Sequence, residues 1–169
     1  MNKSTIQGDE LIDHLSRVQD CIGNPVRSVT VEGLRGAASA YFLSRLHQLE
    51  KGRSILVVTT DQLRGELLLE DLKYFFHYAN LKTKPLFFPS WELLPYESLS
   101  PLNEISGERI EILNRLRNGD NLFLIAPVEA LMQTVIPRSS LEKNVFSIKP
   151  NVVLEREFLE ASLADNGFS

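Results

Sequence analysis

Cysteine, histidine and tryptophan are scarce in this sequence. Its 169 residues include one cysteine, three histidines and one tryptophan. The lone Cys21 excludes a disulfide framework or a thiolate metal site built within the chain, and it is typical of a protein of the reducing cytosol. The histidines form no H-x-x-x-H or H-E-x-x-H pair, which removes the sequence support for a zinc hydrolase. They are His14, His47 and His77.

Long apolar runs and a surplus of positive charge are also missing. No window approaches the ~20 consecutive apolar residues of a membrane span, and the first five residues begin no apolar signal region. The formal net charge is -4, which excludes a global basic field that would draw the chain to nucleic acid or anionic lipid. We expect a cytoplasmic protein with no membrane partner, of one domain or one and a part.

Short β-rich runs alternate with amphipathic stretches along most of the chain. The periodicity predicts strands at 28–32, 54–59, 85–88 and 121–127, and helices at 9–22, 38–50, 61–79, 104–117 and 128–135. Asp61 is the expected N-cap of the longest helix. Strand and helix in alternation indicate an α/β fold with a parallel sheet and crossover helices. The nearly wholly apolar runs at 54–59 and 121–127 predict strands that are buried on both faces.

Helical spacing also predicts which side chains face the core. The expected inward positions are Phe42, Leu43, Leu46 and Leu49, then Leu63, Leu67, Leu68, Leu72, Phe75 and Phe76, then Ile105, Ile110, Leu113 and Leu116. On the third of these helices Arg109, Arg115 and Arg117 are mixed with glutamates, a pattern that favours a solvated face.

The pattern changes after Pro137. Residues 139–143 are polar, residues 145–148 alternate like a half-exposed strand, and residues 155–165 read as a charged helix. We therefore expect three parts: a leading helix and linker at 1–26, the α/β domain at 27–136, and the start of a small α+β domain at 137–169. The final turn signal at 165–169 indicates that this last domain continues beyond Ser169.

A degenerate phosphate-binding loop lies between the first predicted strand and helix of the α/β domain. A working G-x-x-x-x-G-K-[ST] loop uses its Lys on the β/γ-phosphates and its Ser/Thr on Mg²⁺. Aligned from Gly33, the chain has Ala38 at the second Gly, Ser39 at the Lys and Ala40 at the Mg²⁺ ligand. The favoured interpretation is a tight strand-to-helix turn that needs Gly33 and Gly36 for packing, with no bound cofactor.

The second unusual segment is the proline- and aromatic-rich run at 88–97. One interpretation is an aromatic platform for a nucleic-acid base or a protein partner. The favoured one is that Trp91, Leu93 and Tyr96 cover the hydrophobic end of the sheet. The candidate structural or partner surface consists of Trp91, Glu92, Pro95 and Tyr96.

Three motifs together resemble one protein family. They are Gly-Leu-Arg-Gly-Ala-Ala-Ser-Ala at 33–40, Phe-Pro-x-Trp-Glu-x-Leu-Pro-Tyr-Glu at 88–97 with Ser-Pro at 100–101, and Ala-Pro-Val-x-Ala-Leu-Met-Gln at 126–133. The chain resembles the amino-terminal region of the bacterial transcription-repair coupling factors (Mfd). In that family the region is similar to UvrB: a helicase-lobe-like, P-loop-NTPase-like first domain is interrupted by an inserted domain that recruits UvrA.

The resemblance implies a non-catalytic docking module with no metal site. Its phosphate loop would not bind ATP. ATP and Mg²⁺ would instead bind to the translocase motor domains further along a longer protein. RNA polymerase and DNA would be partners of that full-length protein. The connection at 96–108 is too short for the hairpin with which UvrB probes damage. Residues that contact UvrA are expected beyond Ser169.

Two alternatives remain open. The first is an active NTPase or helicase lobe. The second is a direct DNA-binding module that combines the aromatic run with Arg35, Arg45, Arg53 and Arg64.

Overall fold

Parallel strands separated by helices make up the computed structural model, which describes residues 3–7, 18, 28–50, 52–91, 103–145, 155–157 and 159–160. The strands are β1 (Lys3–Gln7), β2 (Ser28–Glu32), β3 (Ile55–Thr59), β4 (Pro85–Phe87) and β5 (Phe123–Pro127). The helices are α1 (Ala38–Leu49), α2 (Gln62–Tyr78), α3 (Asn103–Arg117), α4 (Val128–Met132) and α5 (Arg138–Asn144).

The strands form two parallel sheets. One has the order β3-β5-β4, with Leu56 paired to Leu124 and Leu86 paired to the other side of Leu124. The other consists of β1 and β2, in register from Lys3 opposite Ser28. The predicted α/β class with a parallel sheet and flanking helices is confirmed. Strand β1 was not predicted, because its sequence, Lys-Ser-Thr-Ile-Gln, carries almost no apolar signal.

The central strand β5 is buried along its whole length because helices cover both faces of its sheet. On one face Phe123 and Ile125 pack against Leu72 and Phe76 of α2 and against Ala40 of α1. On the other face the core cluster is formed by Phe88, Ile112, Leu122, Leu124, Ala126 and Ala130. A third cluster joins α1 to the two-stranded sheet, and it contains Val18, Phe42 and Leu46 with Val29 and Val31.

Asp61 begins α2 as the sequence predicts. Its backbone is extended (φ -154°), and its carboxylate accepts a 2.9 Å hydrogen bond from the Arg64 backbone N–H. That bond, followed by the hydroxyl of Thr60, holds the pKa of Asp61 below its ordinary value. The cap therefore satisfies one of the backbone donors that the first turn of α2 leaves free.

The prediction that 54–59 is buried on both faces is wrong. β3 lies at the edge of its sheet, and its exposure alternates, with Leu56 and Val58 each 52% exposed. Both belong to the face on which α3 packs over β4 and β5. An edge strand lacks a neighbour on one side, so an apolar run does not guarantee burial there.

Several predicted inward positions are also wrong. Leu49, Leu63, Leu67, Ile110 and Leu116 are exposed. In α3 the buried side chains are Arg109 and Ile112, so the helix is rotated relative to the predicted apolar line. The interpretation of its arginines as a solvated face fails for Arg109, whereas Arg115 is partly exposed and pairs with Asp120 at 3.0 Å.

The boundaries differ at some helices. The helix after β5 ends at Met132 rather than 135, and α5 occupies the stretch that was predicted only as polar. Of the leading helix, only Val18 is described, and it is helical and buried. The strand at 145–148 lies almost entirely outside the described residues, and of 155–165 the described part has helical residues at 156–157 and 159–160. The domain boundaries at 26 and 136 stay predictions.

Candidate functional site

The turn between β2 and α1 needs its glycines. Gly33 has φ 82° and Gly36 has φ 55°, in the left-handed region that a side chain opposes. A Cβ on Gly36 would have no neighbour within 4 Å, so the requirement there is conformational and not spatial. The turn is closed by a 3.1 Å bond from the Ala38 backbone N–H to the Arg35 carbonyl. The need for glycine at both positions therefore comes from backbone conformation, whereas the sequence predicted a need for packing.

The remaining residues of this turn supply little chemistry. Ala37, at the N-cap of α1, makes no side-chain capping bond. Ala40, which stands where a working loop holds its Mg²⁺ ligand, is fully buried against Leu72 and Phe76 of α2. Ser39 is half-buried, and Arg35 is the only charged side chain of 33–40. An anion at this turn could contact backbone N–H groups and the exposed guanidinium of Arg35.

A second feature lies at the carboxyl end of β4, the edge of a parallel sheet where ligand sites are usual. It consists of Phe88, Pro89, Ser90 and Trp91. The Phe88 backbone N–H donates to the Ile125 carbonyl at 2.8 Å, which extends the pairing with β5. The Ser90 hydroxyl lies 2.7 Å from Oε1 of Gln62, at the start of α2. The chain therefore leaves the sheet in a fixed direction.

Arg109 holds the same segment from α3. It is only 2% exposed, and its Nη1 donates to the Pro89 carbonyl at 2.5 Å. Its guanidinium carbon lies 4.2 Å from the centroid of the Phe88 ring and 4.5 Å from that of the Trp91 ring. Contacts of this kind attract a cation to the negative faces of both rings.

Gln133, just beyond α4, completes the arrangement. Its Oε1 accepts from the Trp91 backbone N–H at 2.8 Å, and its Nε2 donates to the Trp91 carbonyl at 3.4 Å. The same Oε1 also lies 3.3 Å from Nη1 of Arg109. One amide side chain thus satisfies both backbone groups of Trp91, which would otherwise lose hydrogen bonds to water.

The charge of Arg109 is compensated without a carboxylate among the described residues. Burial lowers the pKa of its guanidinium, and Nη2 is buried with no hydrogen-bond partner in the described part of the chain. The cation is therefore stabilised by the faces of two aromatic rings and by two oxygen acceptors, the Pro89 carbonyl and Oε1 of Gln133. Burying a cation in this way is costly, so a buried guanidinium is an unusual group to find at the end of a strand.

Of the predicted surface, only Trp91 can be placed. It is half-buried beside the buried Phe88 and the half-buried Gln133. Glu92, Pro95 and Tyr96, like Leu93, lie outside the described residues. Sequence reasoning missed Arg109 and the role of Gln133, although Gln133 ends the third motif quoted above. One feature of the sequence could have indicated that Arg109 is buried. It lies three residues before Ile112, so the two side chains share one face of the helix.

The arginines of the DNA-binding alternative are mostly occupied by neighbours. Arg45 donates to Gln48 at 2.5 Å, Arg53 lies 3.4 Å from Glu50, and Arg64 lies 3.6 Å from Asp61. Each partner is three positions away in sequence. Within the described ranges, no group of three or more His, Cys, Asp or Glu side chains is placed to hold a metal ion. No helix of that part is both long and apolar enough to cross a membrane.

Comparison with known proteins finds relatives of this chain. The chain is 32% identical over 101 residues to the transcription-repair-coupling factor of Haemophilus influenzae, which covers 59% of the chain. It is 28% identical over 135 residues to that of Escherichia coli and 25% identical over 136 residues to that of Bacillus subtilis, each covering 80% of the chain. The chain is homologous to a region of the transcription-repair-coupling factors.

The homology covers only a small part of these relatives. The chain spans 8% of the Haemophilus transcription-repair-coupling factor and 11% of each of the other two. No family model matches the chain, and no solved structure matches it. The homology supports a DNA-repair context for the chain.

Proposed function

We propose that this chain is a non-catalytic module of a transcription-repair-coupling factor, which helps to recruit the excision repair machinery, through UvrA, to stalled RNA polymerase. The module would belong to a longer, cytoplasmic, ATP-driven DNA translocase. The observation that carries the proposal is the meeting of two family-like motifs at one place, where Gln133 binds both backbone groups of Trp91. That contact holds the backbone of the segment after β4 in place, which is a structural role and not a catalytic one.

The phosphate-loop turn supports the non-catalytic part of the proposal. Phosphoryl transfer needs cations on the β- and γ-phosphates and a metal held in place. At 33–40 the chain supplies Arg35 alone, and the residue at the metal-ligand position, Ala40, is packed in the core. Gly33 and Gly36 are explained by their positive φ without any nucleotide.

Titration of the chain with labelled ATP and Mg²⁺ tests the rival NTPase lobe. We expect no saturable binding in the micromolar range and no turnover. The control is Arg35→Ala, which removes the only cation of the turn. Tight binding that Arg35→Ala abolishes would overturn the non-catalytic assignment and favour the NTPase lobe.

A second experiment tests the recruitment role in the full-length protein. Trp91→Ala should lower UvrA-dependent repair of the transcribed strand while ATP hydrolysis by the motor stays unchanged. Leu131→Ala, at another partly exposed position near the carboxyl edge of the sheet, is the matched control. A loss of ATP hydrolysis together with repair would contradict a separate docking module.

The DNA-binding alternative is tested by the dependence of affinity on salt. A module that neutralises several phosphates loses affinity steeply as salt rises. Because the chain carries a net charge of -4, and Arg45, Arg53 and Arg64 each lie beside a polar or acidic neighbour, we expect no measurable binding of duplex or single-stranded DNA at low salt. Salt-sensitive binding that is lost when these arginines are replaced by glutamine would favour the alternative.

A further inference from the structure

Helix α2 is apolar on two opposite faces. Its inner face packs Leu72 and Phe76 against β5 and α1. On the opposite side Leu63, Leu67, Tyr74 and Tyr78 are 66%, 60%, 64% and 75% exposed. We call these four residues the outer seam. A line of large exposed apolar side chains on a helix marks a candidate interaction surface, so the outer seam indicates a contact that the described residues do not provide.

The geometry of the outer seam fits a helix. The spacings of four, seven and four residues place the four side chains within an arc of about 60° and along about 22 Å of the helix axis. Apolar side chains that lie in one line along a helix form the kind of surface on which a second helix packs. Tyr74 and Tyr78 are already ordered against each other, with ring centroids 6.4 Å apart and an interplanar angle of 14°. The seam is therefore a straight and partly preorganised surface.

Charge selects among the possible occupants. Glu66 and Glu70 flank the seam on one side and Asp71 on the other, at its middle. Glu70 pairs with Lys73 at 2.6 Å, whereas Glu66 and Asp71 form no ion pair in the described part of the chain. A second copy packed about a two-fold axis would bring its own Glu70 and Asp71 to this acidic middle, and like charges there oppose association. A helix with basic flanks would complement it.

We propose that the outer seam binds an amphipathic helix with an aliphatic seam and lysine or arginine flanks, supplied by another part of the same longer polypeptide. The curated relatives extend far beyond the matched region, since the chain spans 11% of the Escherichia coli transcription-repair-coupling factor. This choice of occupant rests on the proposed function, in which the chain is a module of such a protein. The seam itself and its charge do not depend on that role.

The chemistry of the seam is tested on this chain with three synthetic 18-residue helical peptides. One has a leucine seam flanked by lysine, one has the same seam flanked by glutamate, and one has the lysine flanks with the leucines replaced by glutamine. We expect saturable binding of the first peptide only, measured by anisotropy of a labelled peptide. Leu67→Asp should weaken that binding at least about tenfold, and Leu131→Asp, away from α2, should not.

Two results would overturn this part. The first is equal binding of the lysine- and glutamate-flanked peptides, or no binding of either. The second is a concentration-dependent dimer of the chain in sedimentation that Leu67→Asp abolishes, since it would assign the seam to a second copy. Far-ultraviolet circular dichroism of each variant shows whether it is folded.

The source of the helix is tested by hydroxyl-radical footprinting of Tyr74 and Tyr78 in this chain and in the full-length protein. We expect the oxidation rates of both tyrosines to fall at least about fivefold in the full-length protein, as a packed helix excludes solvent, and to be restored there by Leu67→Asp. Unchanged rates would overturn the intramolecular occupant. The ATP and repair measurements above report separately on the proposed function.

Discussion

The guanidinium carbon of Arg109 lies 4.5 Å from the centroid of the Trp91 ring, and the Phe88 ring lies 4.2 Å from the same carbon. A buried cation of α3 is thus held between two aromatic rings of the segment that leaves β4. Its Nη1 also binds the Pro89 carbonyl between them. One side chain of α3 therefore contacts Phe88, Pro89 and Trp91 of the segment that follows β4.

The first prediction concerns this contact, which the only tryptophan of the chain reports directly. Arg109→Met keeps an apolar stem but leaves the Pro89 carbonyl without its donor, and we expect a loss of about 1–3 kcal/mol in the free energy of unfolding. The emission of Trp91 should shift to longer wavelength, and its quenching by acrylamide should increase. Arg109→Lys should give a similar shift, because lysine cannot stack a planar group between two rings.

Arg115→Ala is the matched control for this measurement. It removes an arginine from the same helix, but one whose ion pair with Asp120 is solvent-exposed and so contributes little. We expect the Trp91 emission of this variant to match that of the unchanged chain. An unshifted emission in Arg109→Met would show that the cation does not position the ring.

A second prediction concerns the buried charge of Arg109 beside Gln133. Gln133→Leu leaves the Trp91 backbone N–H and Arg109 without their shared acceptor, and should cost about 1–3 kcal/mol in the free energy of unfolding. Gln133→Glu keeps an acceptor for both and gives the guanidinium a carboxylate, so it should cost less. Denaturant midpoints at pH 7 measure the order. If Gln133→Glu is the more damaging of the two, the donation from Nε2 to the Trp91 carbonyl outweighs the charge.

The elements near the sheet could be predicted because their signals are local. β2, α1 and α2 each carry a periodic apolar pattern, β5 is a short apolar run, and Asp61 marks the start of α2 as an N-cap. Burial could not be predicted in the same way. The apolar run of β3 looked like that of β5, but only strand order decides which of the two has neighbours on both sides.

The site was harder to predict than the fold for a related reason. Arg109 looks like one charge among many on α3, and only the packing of that helix over Phe88 turns it inward. Gln133 meets Trp91 across 42 positions of sequence. Contacts of this range depend on the tertiary arrangement and leave no periodic signal. The glycines at 33 and 36, in contrast, could be predicted as parts of a turn because a strand-to-helix turn is local, although they are needed for backbone conformation and not for packing.

A third prediction concerns Gly65, in the first turn of α2. Replacing an exposed glycine within a helix by alanine usually raises the free energy of unfolding, by up to about 1 kcal/mol. Here an added Cβ would lie 2.6 Å from Cε2 of Phe87 and 3.0 Å from Oγ1 of Thr59. The ring of Phe87 is partly buried and packs against the cluster that contains Leu72 and Phe76, which limits how far it can move, so Gly65→Ala should instead lower the free energy of unfolding by about 1–3 kcal/mol. Gly107→Ala in α3, with nothing within 4 Å, should be neutral or stabilising in the same denaturation measurement.

The last prediction concerns the pH dependence of stability. His47 of α1 stacks on Phe76, with centroids 5.2 Å apart, and meets the edge of Phe123 at 5.5 Å. Burial lowers its pKa below the ordinary 6.5. Between the folded and unfolded pKa values the unfolded chain therefore binds more protons, so the free energy of unfolding falls as pH falls through this window. The slope contributed by His47 is at most about 1.4 kcal/mol per pH unit.

His47→Phe, which keeps an aromatic ring among the same neighbours, should remove this contribution. We expect the loss of stability between pH 7.5 and pH 5.5, measured by denaturant unfolding, to be smaller in the variant than in the unchanged chain. His77→Gln is the control for the loss of a histidine, because that imidazole is exposed and lies on another helix. An unchanged pH dependence in His47→Phe would mean that the ring between Phe76 and Phe123 takes up its proton without opposing the fold.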